Sequence, residues 1–270
     1  MLLHTTSWHS SALGCPWVLL HGFTGDGRDF QPVVDALGGA LDAPLVALDL
    51  VGHGRSAAPE DAAEYTMEAC VRHIVETMDG LQVERARVLG YSMGGRAALH
   101  LALRHPERVE SLVCVGATPG IEEEALVRAR VEADQALADR IERDGVEAFL
   151  AFWASIPIIA TQRRIAPEHA RAMARRRRTR SALGLAWSLR AMGTGAMPEL
   201  WGELDQVSCE ALLVVGEEDL KFREIAERMG KIMPHARVSV IEGAGHAAHL
   251  ERPEAFASAL IGWKGRDTAL

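Results

Sequence analysis

Residues 86–99, Ala-Arg-Val-Leu-Gly-Tyr-Ser-Met-Gly-Gly-Arg-Ala-Ala-Leu, join a short apolar run to a helix-forming one through Gly90-x-Ser92-x-Gly94. Glycines on both sides of the serine leave room for a tight, strained turn that lifts its hydroxyl above a sheet edge. The helix that follows directs its positive end toward that hydroxyl. Alone, the five-residue pattern is weak. Between a strand and a helix, it reads as a nucleophilic serine rather than a structural one.

Outward from this turn, apolar runs and helical patterns alternate. Strands are expected at 17–20, 45–50, 86–89, 111–115, 211–215 and 238–241, and helices near 30–37, 66–81, 93–104, 221–229 and 253–263. Alternation of this kind predicts an α/β fold with a mostly parallel sheet flanked by helices, and near-continuous apolar strands suit a sheet covered on both faces. The rhythm stops between Pro119 and Gln206, where the patterns are helical and no strand is convincing. A helical insertion over 119–206 is therefore expected to divide a core into 1–118 and 207–270. It begins at Glu122-Glu123-Glu124, acids that favour a helix N-terminus. Its run Phe149-Leu150-Ala151-Phe152-Trp153 reads first as core.

The chain has 270 residues, 48% hydrophobic and 24% charged, which excludes disorder, collagen-like repeats and a coiled coil. Cys15, Cys70, Cys114 and Cys209 form neither a zinc-type spacing nor a disulfide framework. No Lys or Arg precedes the apolar run at 17–20, so no signal peptide is expected. The uncharged stretch 148–162 contains Ser155 and Pro157 and falls short of the roughly 20 residues of a membrane span. A cytoplasmic protein without a membrane span is expected. Net charge of -8 disfavours nucleic acid as a partner. Within 161–190, however, nine arginines face one acid, Glu168. That segment is either a solvated basic face or a surface that receives an anion.

A serine hydroxyl needs a neighbour to take its proton, and the neighbour needs an orienting acid. Val214-Val215-Gly216-Glu217-Glu218-Asp219 and Ile241-Glu242-Gly243-Ala244-Gly245-His246 are apolar strands ending in an acid and a histidine, in the chain order Ser92, Asp219, His246. Glu217 and Glu218 compete with Asp219, and His249 with His246; position at the strand ends favours the residues named first. A developing oxyanion needs two backbone N–H donors, and those of Met93 and Phe23 are the candidates. His21 and the run Asp49-Leu50-Val51-Gly52-His53-Gly54-Arg55-Ser56 read as shapers of loops.

His21-Gly22, Asp49-x-x-Gly52-His53-Gly54-x-Ser56, Gly90-x-Ser92-x-Gly94-Gly95, Asp219 and Gly245-His246 together resemble the α/β-hydrolase superfamily across essentially the whole chain. That resemblance implies the α/β-hydrolase fold with residues 119–206 as an inserted helical lid. Four strings narrow it: 21–25 (His-Gly-Phe-Thr-Gly), 90–96, 184–195 (Gly-Leu-Ala-Trp-Ser-Leu-Arg-Ala-Met-Gly-Thr-Gly) with Pro198 and Trp201, and Gly216-Glu217-x-Asp219-x-Lys221-Phe222. These resemble 2-succinyl-6-hydroxy-2,4-cyclohexadiene-1-carboxylate synthase of menaquinone biosynthesis. The resemblance implies a lyase that eliminates pyruvate from 2-succinyl-5-enolpyruvyl-6-hydroxy-3-cyclohexene-1-carboxylate, a small tricarboxylate, with no cofactor and no metal. It implies a monomer or homo-oligomer. It further implies Ser92, assisted by His246 and Asp219, as general base, and Arg96, Arg130, Arg178, Trp153 and Tyr91 as substrate-binding residues. The alignment through 175–180 leaves the third arginine open, and a tyrosine found after the tryptophan in some members is Ala154 here. The alternatives are a serine hydrolase of esters or C–C bonds with the same triad, and a ligand-binding receptor that would have no need of the triad.

Overall fold

In the computed structural model, which describes residues 1–263, the apolar runs pair into one seven-stranded sheet. Residues 264–270 of the expected segment 207–270 lie outside the described residues. The strands are β1 (Thr5–Trp8), β2 (Trp17–Leu20), β3 (Leu45–Leu48), β4 (Ala86–Tyr91), β5 (Val109–Val115), β6 (Glu210–Gly216) and β7 (Ala236–Ile241). Their order is β1-β3-β2-β4-β5-β6-β7, with β1 antiparallel to β3 and all other pairs parallel. Parallel neighbours need crossovers, and the helices supply them.

Those helices are α1 (Gln31–Leu37), α2 (Met67–Gly80), α3 (Met93–Arg104), α4 (Glu124–Trp153), α5 (Pro157–Ala160), α6 (Pro167–Arg177), α7 (Ala182–Met192), α8 (Leu220–Ile232), α9 (Ala248–Glu251) and α10 (Pro253–Gly262). Thr66 starts α2 by accepting the Ala69 N–H at 3.1 Å, and Pro32 opens α1. Alternating side chains divide the core between the two sheet faces. Val18 and Leu20 pack with Leu48, Ile74, Leu99 and Leu213 on one face, while Trp17 and Leu19 pack with Phe30, Val113, Val214 and Phe256 on the other.

Two edges depart from the sequence-based expectation. Strand β1 was not anticipated because Thr-Thr-Ser-Trp carries no apolar run; it is short, half-buried and paired on one side only. At the opposite edge, Val238 and Val240 of β7 are exposed, so coverage on both faces holds for the central strands and fails there.

Among the described residues, 119–206 carries helices and no strand. Helices α4 and α7 pack on each other around Ala138, Ile141, Phe149, Leu185, Ala186 and Leu189, a third core separate from those of the sheet. Helix α7 meets the sheet's loops at a point with no space for side chains, where a Cβ on Gly184 would stand 2.4 Å from the Gly52 carbonyl oxygen. No single helix among the described residues is long and apolar enough to cross a membrane.

The arginine-rich segment is neither a bare solvated face nor an open anion receptor, because the protein's own acids occupy most of it. Asp26, fully buried, accepts Arg180 Nη2 at 2.7 Å, Arg176 Nε at 3.1 Å and Arg28 Nη2 at 2.9 Å. Arg176 also donates to Asp29 at 2.5 Å, and Arg180 to the Thr24 carbonyl at 3.2 Å. Arg190 pairs with Asp139 and Glu142, and Arg164 with Glu218. Charge thus fastens α6 and the turn into α7 to the loop after β2. Burial raises the Asp26 carboxyl, but bonds from Arg28 and Arg180 and the charge of Arg176 outweigh it and hold the group below the usual carboxylate range.

A depressed carboxyl contributes stability that is complete above its unfolded value near ~3.9 and is lost as pH falls below it. Asp26→Asn leaves two largely buried guanidiniums without their shared anion, so denaturant unfolding at neutral pH should show a loss of about 3–5 kcal/mol. A loss under about 1 kcal/mol would assign the fastening to packing instead.

Candidate active site

Ser92 lies between β4 and α3 with φ 50° and ψ −107°, a conformation that non-glycine residues rarely adopt. The turn closes because glycines leave it room. A Cβ on Gly90 would stand 2.3 Å from the Gly94 carbonyl oxygen, and one on Gly94 would stand 2.2 Å from that of Leu20. Hydrogen bonds fix the strained conformation: Ser92 N–H donates to Val115 O at 2.8 Å, Gly94 N–H to His21 O at 3.1 Å and Arg96 N–H to Ser92 O at 3.0 Å.

Asp219 and His246 follow the carboxyl ends of β6 and β7, at the same sheet edge as Ser92. His246 Nδ1 is 2.7 Å from Asp219 Oδ2, and its Nε2 is 3.1 Å from Ser92 Oγ. Asp219 begins α8 without capping it through its side chain, which leaves the carboxylate to His246. With Nδ1–H donating to Asp219, Nε2 faces the serine as an acceptor. The competing acids are engaged elsewhere: Glu217 accepts the Gly243 N–H at 3.0 Å, and Glu218 accepts Arg164 at 2.6 Å. His249 is buried beside Tyr91, with ring centroids 4.5 Å apart, and does not reach Ser92 by a hydrogen bond. Phe222 covers another side of the His246 ring at 4.6 Å.

The N–H groups of Phe23 and Met93 have no protein acceptor among the described residues, and both residues line the cavity onto which Ser92 opens. His21 Nδ1 lies 2.8 Å from the Gly22 carbonyl oxygen, and its Nε2 accepts the Leu50 N–H at 3.0 Å, so both ring nitrogens serve the loop. Asp49 accepts the N–H groups of Gly27 and Arg55 at 2.7 and 2.8 Å.

The cavity measures about 650 Å³, within the range of roughly 300–1,000 Å³ of small-molecule sites. Arg96 and Arg130 both line it. Arg96 is buried and donates from Nη1 to the Met192 carbonyl at 2.6 Å, and no carboxylate among the described residues pairs with it. Burial, and then the charge of Arg130, bring its pKa down to about 10, which leaves it a cation at neutral pH. Arg130 binds Asp134 through Nε at 2.8 Å. Trp153 stacks on Phe149 at 5.6 Å and meets Phe23 edge-on at 5.4 Å, joining the cavity wall to the insertion's own core.

Two expected residues lie elsewhere. Tyr91 lines a narrow recess of about 40 Å³ that shares Ser92 but not Arg96, and its hydroxyl is 3.5 Å from Gln162 Nε2. Arg178 is not brought to Ser92 at all. Its side chain is 64% exposed, 3.5 Å from Glu147, on an outer cleft that does not include the serine. Arg177, one residue earlier, lines the recess with Ser92 and donates to Gln162 Oε1 at 3.3 Å. Successive residues of a helix point about 100° apart, so a one-residue ambiguity in alignment decides between inside and outside.

Sequence reasoning missed four residues. Lys221 and Phe222 line the cavity and were visible only as part of a motif string. Ser188 is buried on the cavity wall, and its hydroxyl has no partner among the described residues. Glu251 is a buried carboxylate beneath the His246 loop; an acid just beyond the run Ala247-Ala248-His249-Leu250 was its one signal.

Residues 16–253 match the alpha/beta hydrolase fold family. A Bacillus subtilis (strain 168) protein provisionally named 2-succinyl-6-hydroxy-2,4-cyclohexadiene-1-carboxylate synthase is 38% identical over 88% of this chain and 86% of its own. An Enterobacter sp. (strain 638) protein named for the same synthase is 33% identical over 92% and 91%. Among solved structures, MenH from S. aureus superposes with a TM-score of 0.89 at 28% identity, covering 96% of this chain and 97% of that one. An enol-lactonase from Burkholderia xenovorans LB400, at 24% identity, 97% and 95% coverage and a TM-score of 0.80, shares the fold.

Burial around the site holds several histidines neutral. Burial and then the charge of His246 lower His249 to about 3, burial and then Arg104 lower His100 to about 4, and burial with neighbouring His21 takes His53 well below its usual value. A histidine depressed on folding contributes stability that is complete above its unfolded value near ~6.5 and is lost as pH falls toward the folded one. Isothermal denaturation should therefore show falling stability from pH 6.5 to 4, with a slope approaching about 1.4 kcal/mol per pH unit for each such histidine. A flat profile across that window would mean that these rings accept protons in the folded state.

Proposed function

The chain belongs to the 2-succinyl-6-hydroxy-2,4-cyclohexadiene-1-carboxylate synthase family of the alpha/beta hydrolase fold, and on that premise we propose how its own residues carry out the elimination. The substrate is 2-succinyl-5-enolpyruvyl-6-hydroxy-3-cyclohexene-1-carboxylate, and the products are pyruvate and the conjugated cyclohexadiene. One observation carries the assignment of roles. The Ser92 hydroxyl, held 3.1 Å from His246 Nε2, shares a single cavity with Arg96, a buried guanidinium that lacks a carboxylate partner among the described residues. An unpaired buried cation is costly unless an anion is to join it.

His246 takes the Ser92 proton, and the serine oxygen removes a proton from a ring carbon. Asp219 orients His246 and stabilises its charged form. The electron pair released delocalises toward the succinyl ketone, whose oxygen the N–H groups of Phe23 and Met93 would meet. The ring C–O bond to the enolpyruvyl group then breaks, and the leaving enolate takes up a proton to become pyruvate. No acyl-enzyme forms. Arg96 and Arg130 grip substrate carboxylates, Trp153 packs against the ring, and Tyr91 acts from behind His246, where their centroids lie 5.5 Å apart. Residues 119–206 serve as the lid of this site, the enzyme acts in the cytoplasm, and the reaction calls on no cofactor.

Purified protein given this substrate should release one pyruvate per diene formed. Ser92→Ala and His246→Ala should each lower kcat by at least about 10³-fold. In water enriched in oxygen-18, the product's carboxylates should remain unlabelled. Rapid turnover of aryl esters without pyruvate release would instead make the chain a hydrolase that uses the same triad.

The arginine roles have their own test. Loss of a charge-assisted pair is worth about 1.5–3 kcal/mol, so Arg96→Ala should reduce kcat/KM by roughly 10- to 100-fold. Arg96→Lys should recover little of that, because an ammonium cannot reproduce two-pronged contact with a carboxylate. Unchanged kinetics would remove Arg96 from the site.

A further inference from the structure

Glu251 is a fully buried carboxylate that the mechanism above does not use. A buried charge needs compensation from several donors, and four approach this one. Two are peptide N–H groups on either side of the catalytic histidine: Gly245 N–H reaches Oε2 at 2.8 Å, and Ala247 N–H reaches Oε1 at 3.3 Å. The other two belong to the helical insertion: Thr161 Oγ1 donates to Oε1 at 2.7 Å, and Arg164 Nη1 lies 3.5 Å from Oε2. Arg164 also donates to the Gly243 carbonyl at 3.3 Å and to Glu218 at 2.6 Å, bridging the loops that carry His246 and Asp219. Contact between the two parts is tight, since a Cβ on Gly245 would stand 2.4 Å from Thr161 Oγ1.

One carboxylate therefore holds the histidine loop with one set of donors and the insertion with another. We propose that Glu251 is a positioning residue that makes the placement of His246 depend on the seating of the Thr161–Arg164 turn. With the turn docked, the carboxylate is held from above, and its two amide bonds keep His246 Nε2 at Ser92. With the turn lifted, Glu251 loses two donors, the loop relaxes, and Ser92 loses its base. The site is then competent only beneath a seated insertion, which limits proton transfer in the open state. The inference deepens the synthase reading, but its central claim concerns the Ser92–His246 pair and does not depend on the substrate.

The test measures that pair directly. Diisopropyl fluorophosphate reacts with a serine hydroxyl only as fast as its histidine removes the proton, with fluoride leaving, so its labelling rate reports the placement of His246. Glu251→Gln keeps the size of the side chain but replaces an acceptor with a donor. Thr161→Val removes one hydroxyl and leaves both amide bonds in place, which provides a variant that folds if Glu251→Gln does not. Because a misplacement of about 1 Å costs up to about 100-fold, Thr161→Val should slow labelling roughly 10-fold and Glu251→Gln more. The kcat for pyruvate release should fall by the same factors with KM nearly unchanged. Thermal unfolding shifted downward, with labelling per folded molecule at the unsubstituted rate, would reduce Glu251 to an anchor and overturn the proposal. If the unsubstituted protein labels rapidly and releases no pyruvate, the synthase reading fails, and the labelling rates of the two variants still decide the role of Glu251.

Discussion

The turn at Ser92 is the constraint on which the rest of the site depends. An L-residue at φ 50° is disfavoured, and it persists here because every neighbouring group over-determines it. Gly90 and Gly94 remove the side chains that would collide with the backbone of the same turn and of β2, two hydrogen bonds tie the strained segment to β5 and to the loop after β2, and a third closes it onto α3. That second loop carries Phe23, and the helix that starts at Met93 is the one the turn launches. A single backbone conformation thus sets the Ser92 hydroxyl and both candidate oxyanion donors at once.

Electrostatics within the chain assemble the other half of the site. The insertion contributes Arg130 and Trp153, and it is held to the sheet's loops at two separated places: Asp26 with Arg176 and Arg180, and Glu251 with Thr161 and Arg164. Both acids are buried, so each satisfies its charge through protein donors, some of them from the insertion, rather than through water. Apolar contact alone would let α6 slide; a carboxylate shared among guanidiniums specifies position. Arg96 shows the opposite arrangement. Its hydrogen bonds reach a carbonyl and a thioether but no acid among the described residues, and the guanidinium lines the cavity with Ser92.

The same geometry at Ser92, His246 and Asp219 would serve acyl transfer as readily as proton abstraction, since in both cases histidine accepts the serine proton and two N–H groups meet developing negative charge. What separates the two chemistries is the wall around the triad. A hydrolase of neutral esters has no use for a desolvated guanidinium, whereas a substrate bearing three carboxylates does.

Much of this is legible in the sequence. The alternation of short apolar runs with helical patterns determined a parallel sheet, and Gly90-x-Ser92-x-Gly94 determined the turn, because both signals are local: a strand's burial and a turn's steric demands are written in adjacent residues. The chain order of Ser92, Asp219 and His246 at strand ends determined which side chains could meet, since carboxyl ends of parallel strands share one edge. Tertiary structure alone decided the rest. Strand β1 exists only because β3 offers it an edge, and the basic segment became a set of internal fastenings only because Asp26, about 150 positions away, lies against it. Whether Arg177 or Arg178 turns inward depends on the rotation of α6 about its axis, which packing sets and local composition does not, both positions being arginine. Glu251 and Ser188 were unreadable for the same physical reason: the value of a buried polar group lies in its partners or their absence, and those are separated from it along the chain.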